Sequence, residues 1–488
     1  MALDHDLLSI QEARDLADSA YQAQLIWKHA TQEEVDRVCT AMADAAYAAS
    51  AQLGQMAHDE TGFGIVAHKK LKNEFGSRVV WESIKDIKTV GIIHHDPQRR
   101  IYDIAWPVGV IAALIPSTNP TSTAMYKIII AVKARDAMVI APHPSAARCT
   151  YETTRIMQQA AEKAGAPPNL ITCMQHISLP GTQELLKHKF VRLILATGGS
   201  AMVKVAHSVG KPAYGVGPGN VPAYVDRSAD LEKAARYIVN SKAFDCSTIC
   251  ASEQSVIADQ PIADKLKQLM IAEGAYFASE EQTDRLRKLL FHPNGAINTA
   301  TVGKPAQTVA GMAGFSIPQS ARVIVTPLQI TGQDEPLSRE KLTTVLAWYE
   351  EDGWEAGCDR SIELIMFGGR GHTQVIHATD ENVIMAFGLE KPVFRILVNT
   401  MGTLGAVGLT TGLMPSMTLG SGGVGGSITG DNITVHHLYN IKRLAYETTP
   451  PPQAALRGPQ PASAAVSNTQ DIETLVQQVV QEIINQTK

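Results

Sequence analysis

The chain has 488 residues, 45% of them hydrophobic, and a formal net charge of -5 from 43 Lys and Arg against 48 Asp and Glu. A chain of this length implies two or three domains rather than one core. The slight acidity, with no run of Lys or Arg, gives no electrostatic reason to expect a nucleic-acid partner. Six irregularly spaced cysteines, Cys39, Cys149, Cys173, Cys246, Cys250 and Cys358, argue against a disulfide framework and for a reducing compartment. The opening MALDHDLLSI lacks the charged start and apolar run of a secretory signal, and the apolar stretch 125–140 is broken by Lys127, Lys133, Arg135 and Asp136. No membrane partner and a cytoplasmic location are therefore expected.

Residues 1 to about 90 are Ala-rich, with Leu16, Ala20, Ala23 and Trp27 at helical spacing, and read as several amphipathic helices. From residue 101 the pattern changes. VGVIAALIP (108–116) and DAMVIAPHP (136–144) are short apolar runs ended by proline, as in buried strands, and a helix-like pattern lies between them. A helical stretch over 150–165 precedes two further strand candidates, NLITCMQ and VRLILATGG (191–199). A second block repeats the alternation, with strands at 222–226, 253–258, 321–327, 343–350, 373–379 and 394–399 and a helix over 231–243. Strands alternating with helices predict an α/β fold with parallel sheets. A Gly-rich loop region follows over 401–430.

The segment FDCSTICASEQSVI (244–257) sets two cysteines four apart between a predicted helix and a predicted strand. A nucleophilic thiol needs partial exposure and a polar or positive setting, which such a loop can supply. Spacing alone leaves two other readings open: small core cysteines, or half of a metal site. No His or Cys cluster at ligand spacing lies nearby, so no metal is expected.

TICASEQS resembles the active-site cysteine segment of the CoA-acylating branch of the aldehyde dehydrogenase superfamily. IPSTNPTSTAMYK resembles that branch's oxyanion-hole segment, and LATGGSAMVKVAHSVGKPAYGVGPGN its nucleotide-site and domain-crossing segments. GLMPSMTLGSGGVGGSITGDNITVHHLYNIKRLAY resembles its C-terminal segment. The four run in the expected order and cover most of residues 100 to 445. The style is that of the aldehyde dehydrogenase part of bifunctional aldehyde–alcohol dehydrogenases.

The resemblance implies an aldehyde dehydrogenase-like α/β fold. A Rossmann-type nucleotide-binding domain (1–222) would carry an arm segment at about 93–107, followed by a catalytic domain (223–400). The Gly-rich segment and the remainder of a small oligomerisation arm would occupy 401–446, and subunits would form a homodimer or homotetramer. It further implies Cys250 as nucleophile, with the side chain of Asn119 and the N–H of Cys250 as oxyanion donors. Asn119, standing before a proline, otherwise reads as a turn residue. Cofactor contacts would come from Pro116, His143, Thr197, Gly198, Gly199, Ser200 and Glu340. The Thr197–Ser200 turn can present backbone N–H groups to a pyrophosphate, although a Gly pair alone is common in such turns. Glu340 matches the family's ribose-binding glutamate, with a surface charge as the alternative. His143 replaces a lysine found in many relatives, and no added positive charge favours NADP over NAD. His372 has no assigned role and reads as a structural histidine.

Hydrolytic relatives carry a glutamate base in an E-L-G-G-K motif. The equivalent YGVGPGNVP (214–222) has no carboxylate, so water should attack a Cys250 thioester slowly, whereas the more acidic thiol of CoA depends less on a base. The implied reaction joins a short aldehyde, acetaldehyde or propionaldehyde, to CoA with reduction of NAD. The rival readings are acylation of a functionalised aldehyde such as sulfoacetaldehyde, a hydrolytic enzyme, and a non-catalytic scaffold.

The final section differs in character. Residues 447–469 are rich in Pro, Ala and Ser and read as an extended linker. Beyond it Ile472, Leu475, Val476, Val479, Val480, Ile483 and Ile484 form one apolar stripe on a helix spanning 470–488. A tethered amphipathic helix suits docking into a partner's groove. It resembles the encapsulation peptides that deliver enzymes into bacterial microcompartments, which makes a shell protein the expected partner and the compartment lumen the expected location. An oligomerisation helix, or one folded back on its own domain, is the alternative.

Overall fold

A computed structural model describes residues 4–456 and 469–486. By internal contacts the chain divides into two units, one of residues 1–93 and 105–442, the other of residues 94–104 and 443–488.

In the larger unit, helices His5–Trp27, Gln32–Ala48, Ser50–Thr61 and Val66–Glu74 lead in. The last passes directly into a π-helical turn, Phe75–Val79, which the apolar pattern did not reveal. Two parallel sheets follow. The first has five strands in the order Ile171–Cys173, Ala137–Pro142, Val110–Ile115, Val191–Thr197 and Ala213–Val216. The second has seven, in the order Ala275–Phe277, Val323–Pro327, Val345–Glu351, Glu253–Asp259, Val221–Val225, Gln374–His377 and Ile396–Val398. The α/β class read from the alternation is the one found.

The first sheet is built outward from Val110–Ile115 to one side and then resumes on the other with Val191–Thr197. Such a reversal opens a crevice at the carboxyl ends of the two strands. Helix Pro120–Lys133 packs beneath it, started by Asn119 with Pro120 in its first turn and buried along its whole length. Ile128, Ile129 and Ile130 are each fully buried there, contributing roughly 1.5–3 kcal/mol apiece from apolar burial. Lys127, also fully buried, donates to the Leu114 carbonyl at 2.8 Å and the Leu195 carbonyl at 2.9 Å, tying the two crevice strands together.

In the second sheet, helix Leu231–Ala243 is capped by Asp230, which accepts from the Lys233 N–H at 3.1 Å. It buries Ala234, Ala235, Ile238 and Val239, then ends where Phe244 turns extended. Asp245, Cys246 and Ser247 follow at φ +48°, +52° and +64°. Three consecutive non-glycine residues in the left-handed region are costly, and such strain persists only where surrounding structure enforces it.

A three-stranded sheet is formed by Gly91–Asp96, Ile101–Pro107 and Tyr439–Ala445. Within the stretch 430–446 expected to belong to an arm, Ile433, Val435 and Leu438 are buried in the core around the first sheet, where their apolar side chains leave water. In the smaller unit, the linker expected to be extended contains a single helical turn, Gln453–Leu456, favoured by two alanines; residues 457–468 of that reading lie outside the described residues. The terminal helix spans Thr469–Gln486. Leu475, Val476, Val479, Val480 and Ile483 on it are each at least 50% exposed, while the side chains of Ile472 and Ile484 lie outside the description. Among the described residues no helix is long and apolar enough to cross a membrane.

Candidate active site

Five neighbouring strands of the seven-stranded sheet are each preceded by a loop that carries one residue to the same edge. These are Glu340 before Val345–Glu351, Cys250 before Glu253–Asp259, Gly219 before Val221–Val225, His372 before Gln374–His377, and Arg395 before Ile396–Val398. Gly219 is the hub. A Cβ there would stand 2.1 Å from the Cys250 carbonyl oxygen and 3.0 Å from Cε1 of His372, and its backbone N–H donates to Oε1 of Glu340 at 2.9 Å.

Cys250 is half-buried. Burial, then the charge of Glu340, pushes its thiol up to about 12, while Arg395 and the N–H groups of Cys250 and Ala251 pull the other way. The thiol is therefore protonated at rest and needs a base or an arriving positive charge. Cys246 is buried and also held at about 12, mainly by burial.

His372, which the sequence reading left without a role, stands beside Gly219. It is buried, and burial followed by the charge of Arg395 lowers it to about 3, so the ring is neutral. Nδ1 lies 2.9 Å from the Thr373 hydroxyl, and buried Nε2 has no hydrogen-bond partner among the described residues. Glu340, for which a surface charge was the alternative, is instead a half-buried carboxyl raised to about 7, first by burial, with the Gly219 N–H opposing. Arg395 is buried and committed to oxygens: Nη1 donates to the Gly430 carbonyl at 2.8 Å and Nη2 to that of Gly420, with Nε 3.4 Å from the Thr373 hydroxyl.

Asn119 enters from the other side, at the carboxyl edge of the first sheet. Its Nδ2 donates to the Thr248 carbonyl at 3.0 Å and lies 3.2 Å from the Thr118 hydroxyl. Its Oδ1 accepts from Nζ of Lys72 at 2.6 Å. The turn residue is thus also a side chain that meets the loop carrying Cys250. Lys72 and Lys69, both buried, converge on buried Asp245.

The same carboxyl edge gathers the expected cofactor residues. Pro116 follows Val110–Ile115, His143 follows Ala137–Pro142, and Thr197 ends Val191–Thr197. Pro116 is buried and His143 exposed. Thr197 Oγ1 lies 3.1 Å from the Thr418 hydroxyl. Helix Ser200–Ser208 starts at Gly199 without a side-chain cap. A Cβ at Gly198 or Gly199 would meet nothing within 4 Å. An uncapped helix start beside open space fits a bound pyrophosphate.

The family model for the aldehyde dehydrogenase family matches residues 6–285, and the chain belongs to that family. The bifunctional aldehyde-alcohol dehydrogenase AdhE of Escherichia coli is 37% identical over 442 residues, covering 90% of this chain and 50% of that protein. The chain thus spans about half the length of the first curated relatives it matches. Among solved structures, an acetylating aldehyde dehydrogenase from Geobacillus thermoglucosidasius superposes with a TM-score of 0.91 at 49% identity, covering 92% of this chain and 99% of that one. A propionaldehyde dehydrogenase from the Clostridium phytofermentans fucose utilisation bacterial microcompartment superposes with a TM-score of 0.79 at 27% identity, covering 88% and 96%.

Proposed function

We propose that this chain oxidises a short aldehyde, acetaldehyde or propionaldehyde, to its CoA thioester with reduction of NAD. The observation that carries the reading is the grouping of the Cys250 carbonyl, the His372 ring and the Glu340 carboxyl around Gly219, in a stretch (214–222) without a carboxylate to activate water.

Cys250 loses its thiol proton to solvent and adds through sulfur to the aldehyde carbon. The oxygen that becomes negative is met by Nδ2 of Asn119 and the N–H of Cys250. NAD, when bound, supplies the hydride acceptor. Glu340 and the uncapped start of Ser200–Ser208, with Pro116, His143, Thr197, Gly198 and Gly199, would hold it. The first sheet then serves as nucleotide-binding domain and the second as catalytic domain. Hydride loss leaves an acyl thioester on Cys250. The CoA thiol attacks that carbonyl carbon, and its proton is relayed through Nε2 of neutral His372 to the departing Cys250 sulfur, which restores the resting thiol.

Two other carboxyls lie near enough to serve a hydrolytic reading. Glu340 is engaged by the Gly219 N–H, and Glu253 is fully buried with Oε1 accepting from the Gly402 N–H at 2.7 Å. Glu340 Oε1 is thus held by backbone, and Glu253 lies away from solvent. A neutral aldehyde is favoured over an anionic one because Arg395 already binds backbone carbonyls. The exposed apolar stripe on Thr469–Gln486 supports docking to a microcompartment shell protein, and the resemblance supports a homodimer or homotetramer built through the three-stranded sheet.

The test is NADH formation from acetaldehyde and propionaldehyde with and without CoA. Steady turnover should require CoA. Equal turnover without it would establish the hydrolytic enzyme instead.

A further inference from the structure

We propose that Lys72 is a positioning residue whose ammonium fixes the orientation of the Asn119 amide, keeping its NH₂ on the side of the nucleophile loop. The inference rests on the reading of Asn119 as an oxyanion donor.

Lys72 is 4% exposed and has three N–H donors, each with its own acceptor. Nζ donates to Asn119 Oδ1 at 2.6 Å, to Thr248 Oγ1 at 3.0 Å and to Asp245 Oδ2. An ammonium cannot accept a hydrogen bond, so only the oxygen end of the Asn119 amide can face it. Turned by 180°, the amide would set NH₂ against NH₃⁺. Oxygen held toward Lys72 leaves nitrogen toward the Thr248 carbonyl, 3.0 Å away and two residues before Cys250. The two ends of a carboxamide are nearly isosteric, yet only one of them can stabilise negative charge. A site that relies on asparagine therefore needs something that tells the ends apart.

Charge balance at Asp245 does not by itself require Lys72. Lys69, one helical turn earlier on Val66–Glu74, places Nζ 3.3 Å from the same Asp245 oxygen and 3.3 Å from the Thr118 carbonyl. His68 accepts the Asp245 N–H at 2.8 Å, and the Ile65 N–H donates to Asp245 Oδ1 at 2.7 Å. One face of this helix thus holds the left-handed turn that leads to Cys250, and Lys72 is the member that also reaches Asn119. It joins the oxyanion side chain to the nucleophile turn, across 47 residues of sequence to one and 173 to the other.

The experiment is the single-turnover release of NADH without CoA, for wild type, Lys72→Met, Asn119→Ala and the double variant. Iodoacetamide alkylation of Cys250, which makes no oxyanion, reports whether the nucleophile loop is intact. Lys72→Met should slow NADH release by roughly 10–100-fold, with the KM for NAD unchanged and alkylation within about threefold of wild type. Added to Asn119→Ala, the same substitution should cost less than about twofold, because no amide remains to orient. Wild-type NADH release by Lys72→Met, or losses that multiply in the double variant, would overturn the proposal while leaving the dehydrogenase reading standing. An Asn119→Ala variant as fast as wild type would remove this proposal together with the oxyanion role of Asn119, and a wild type that releases no NADH would remove the dehydrogenase reading as well. If Lys72→Met does not fold, Lys72→Gln, which drops the charge but keeps a polar side chain, is judged by the same criteria.

Discussion

The Cys250 carbonyl oxygen occupies the place where Gly219 would carry a side chain, 2.1 Å from an ideal Cβ. Backbone meets backbone there, so no rotamer change can relieve an added methyl group. Gly219→Ala should displace the nucleophile loop, lower kcat by at least about 100-fold and lower Tm. Both are read from initial rates and a thermal melt, and near-wild-type values would show that the loop yields more easily than the contact implies.

Replacing Cys250 by Ser should reduce acyl-CoA formation on the order of 10⁴-fold, with the other five thiols left in place. Mass spectrometry after mixing wild type with aldehyde and NAD, but no CoA, should find the acyl mass on the peptide containing Cys250. An adduct on Cys246, four residues earlier, would reassign the nucleophile.

Glu340 acts on the site in two opposed ways. Its charge raises the Cys250 thiol, so Glu340→Gln should make alkylation of Cys250 faster at a given pH. The same change should raise the KM for NAD if the carboxylate holds the ribose. Slower alkylation would mean that the contact with the Gly219 N–H outweighs the charge.

His372→Asn should leave the first burst of NADH intact and slow CoA-dependent turnover by about 10²–10⁴-fold. A variant slow already in the burst would place the histidine in the first half of the reaction.

The same histidine carries a stability signature. Folding lowers it from 6.5 to about 3, so the unfolded chain binds the extra proton in the interval between. Its contribution is complete above about pH 7 and is lost as pH falls through 6.5 toward 3. Between pH 7 and 5 the Tm of wild type should fall more steeply than that of His372→Asn; parallel curves would contradict the burial of a neutral ring.

Residues 469–486 fused to a fluorescent protein should collect inside co-expressed microcompartment shells, and replacing Leu475, Val479 and Ile483 by Ser should leave the fusion dispersed. An unchanged distribution for both would end the docking reading.

Much of this architecture is legible in the chain itself. Buried parallel strands announce themselves as unbroken apolar runs such as VIAALI and AMVIAP, and helix Leu231–Ala243 by its spacing and its Asp230 cap. Cys250 and Asn119 are proposed through motif resemblance. His372 received no role, because its nearness to Cys250 arises from strand order: Gln374–His377 lies beside Val221–Val225, which lies beside Glu253–Asp259. Lys72 sits in a helix of mostly polar residues, where a lysine reads as a solvated face until the turn at Asp245 is folded against it. In the stretch read only through its resemblance to domain-crossing segments, residues 213–216 form a strand, too short to show a period.

The parallel order of both sheets constrains how the chain can fold. No hairpin is available to start either sheet, and Val221–Val225 finds one of its neighbours only when Gln374–His377 has been made. Ordering chain segments this far apart precedes any reward from pairing, which slows folding and leaves apolar strands uncovered in the interim. During synthesis the edge of the second sheet that carries Cys250 is therefore complete only after the loop carrying Arg395 has emerged, and high-level expression should depend on chaperones to shield the unfinished second sheet.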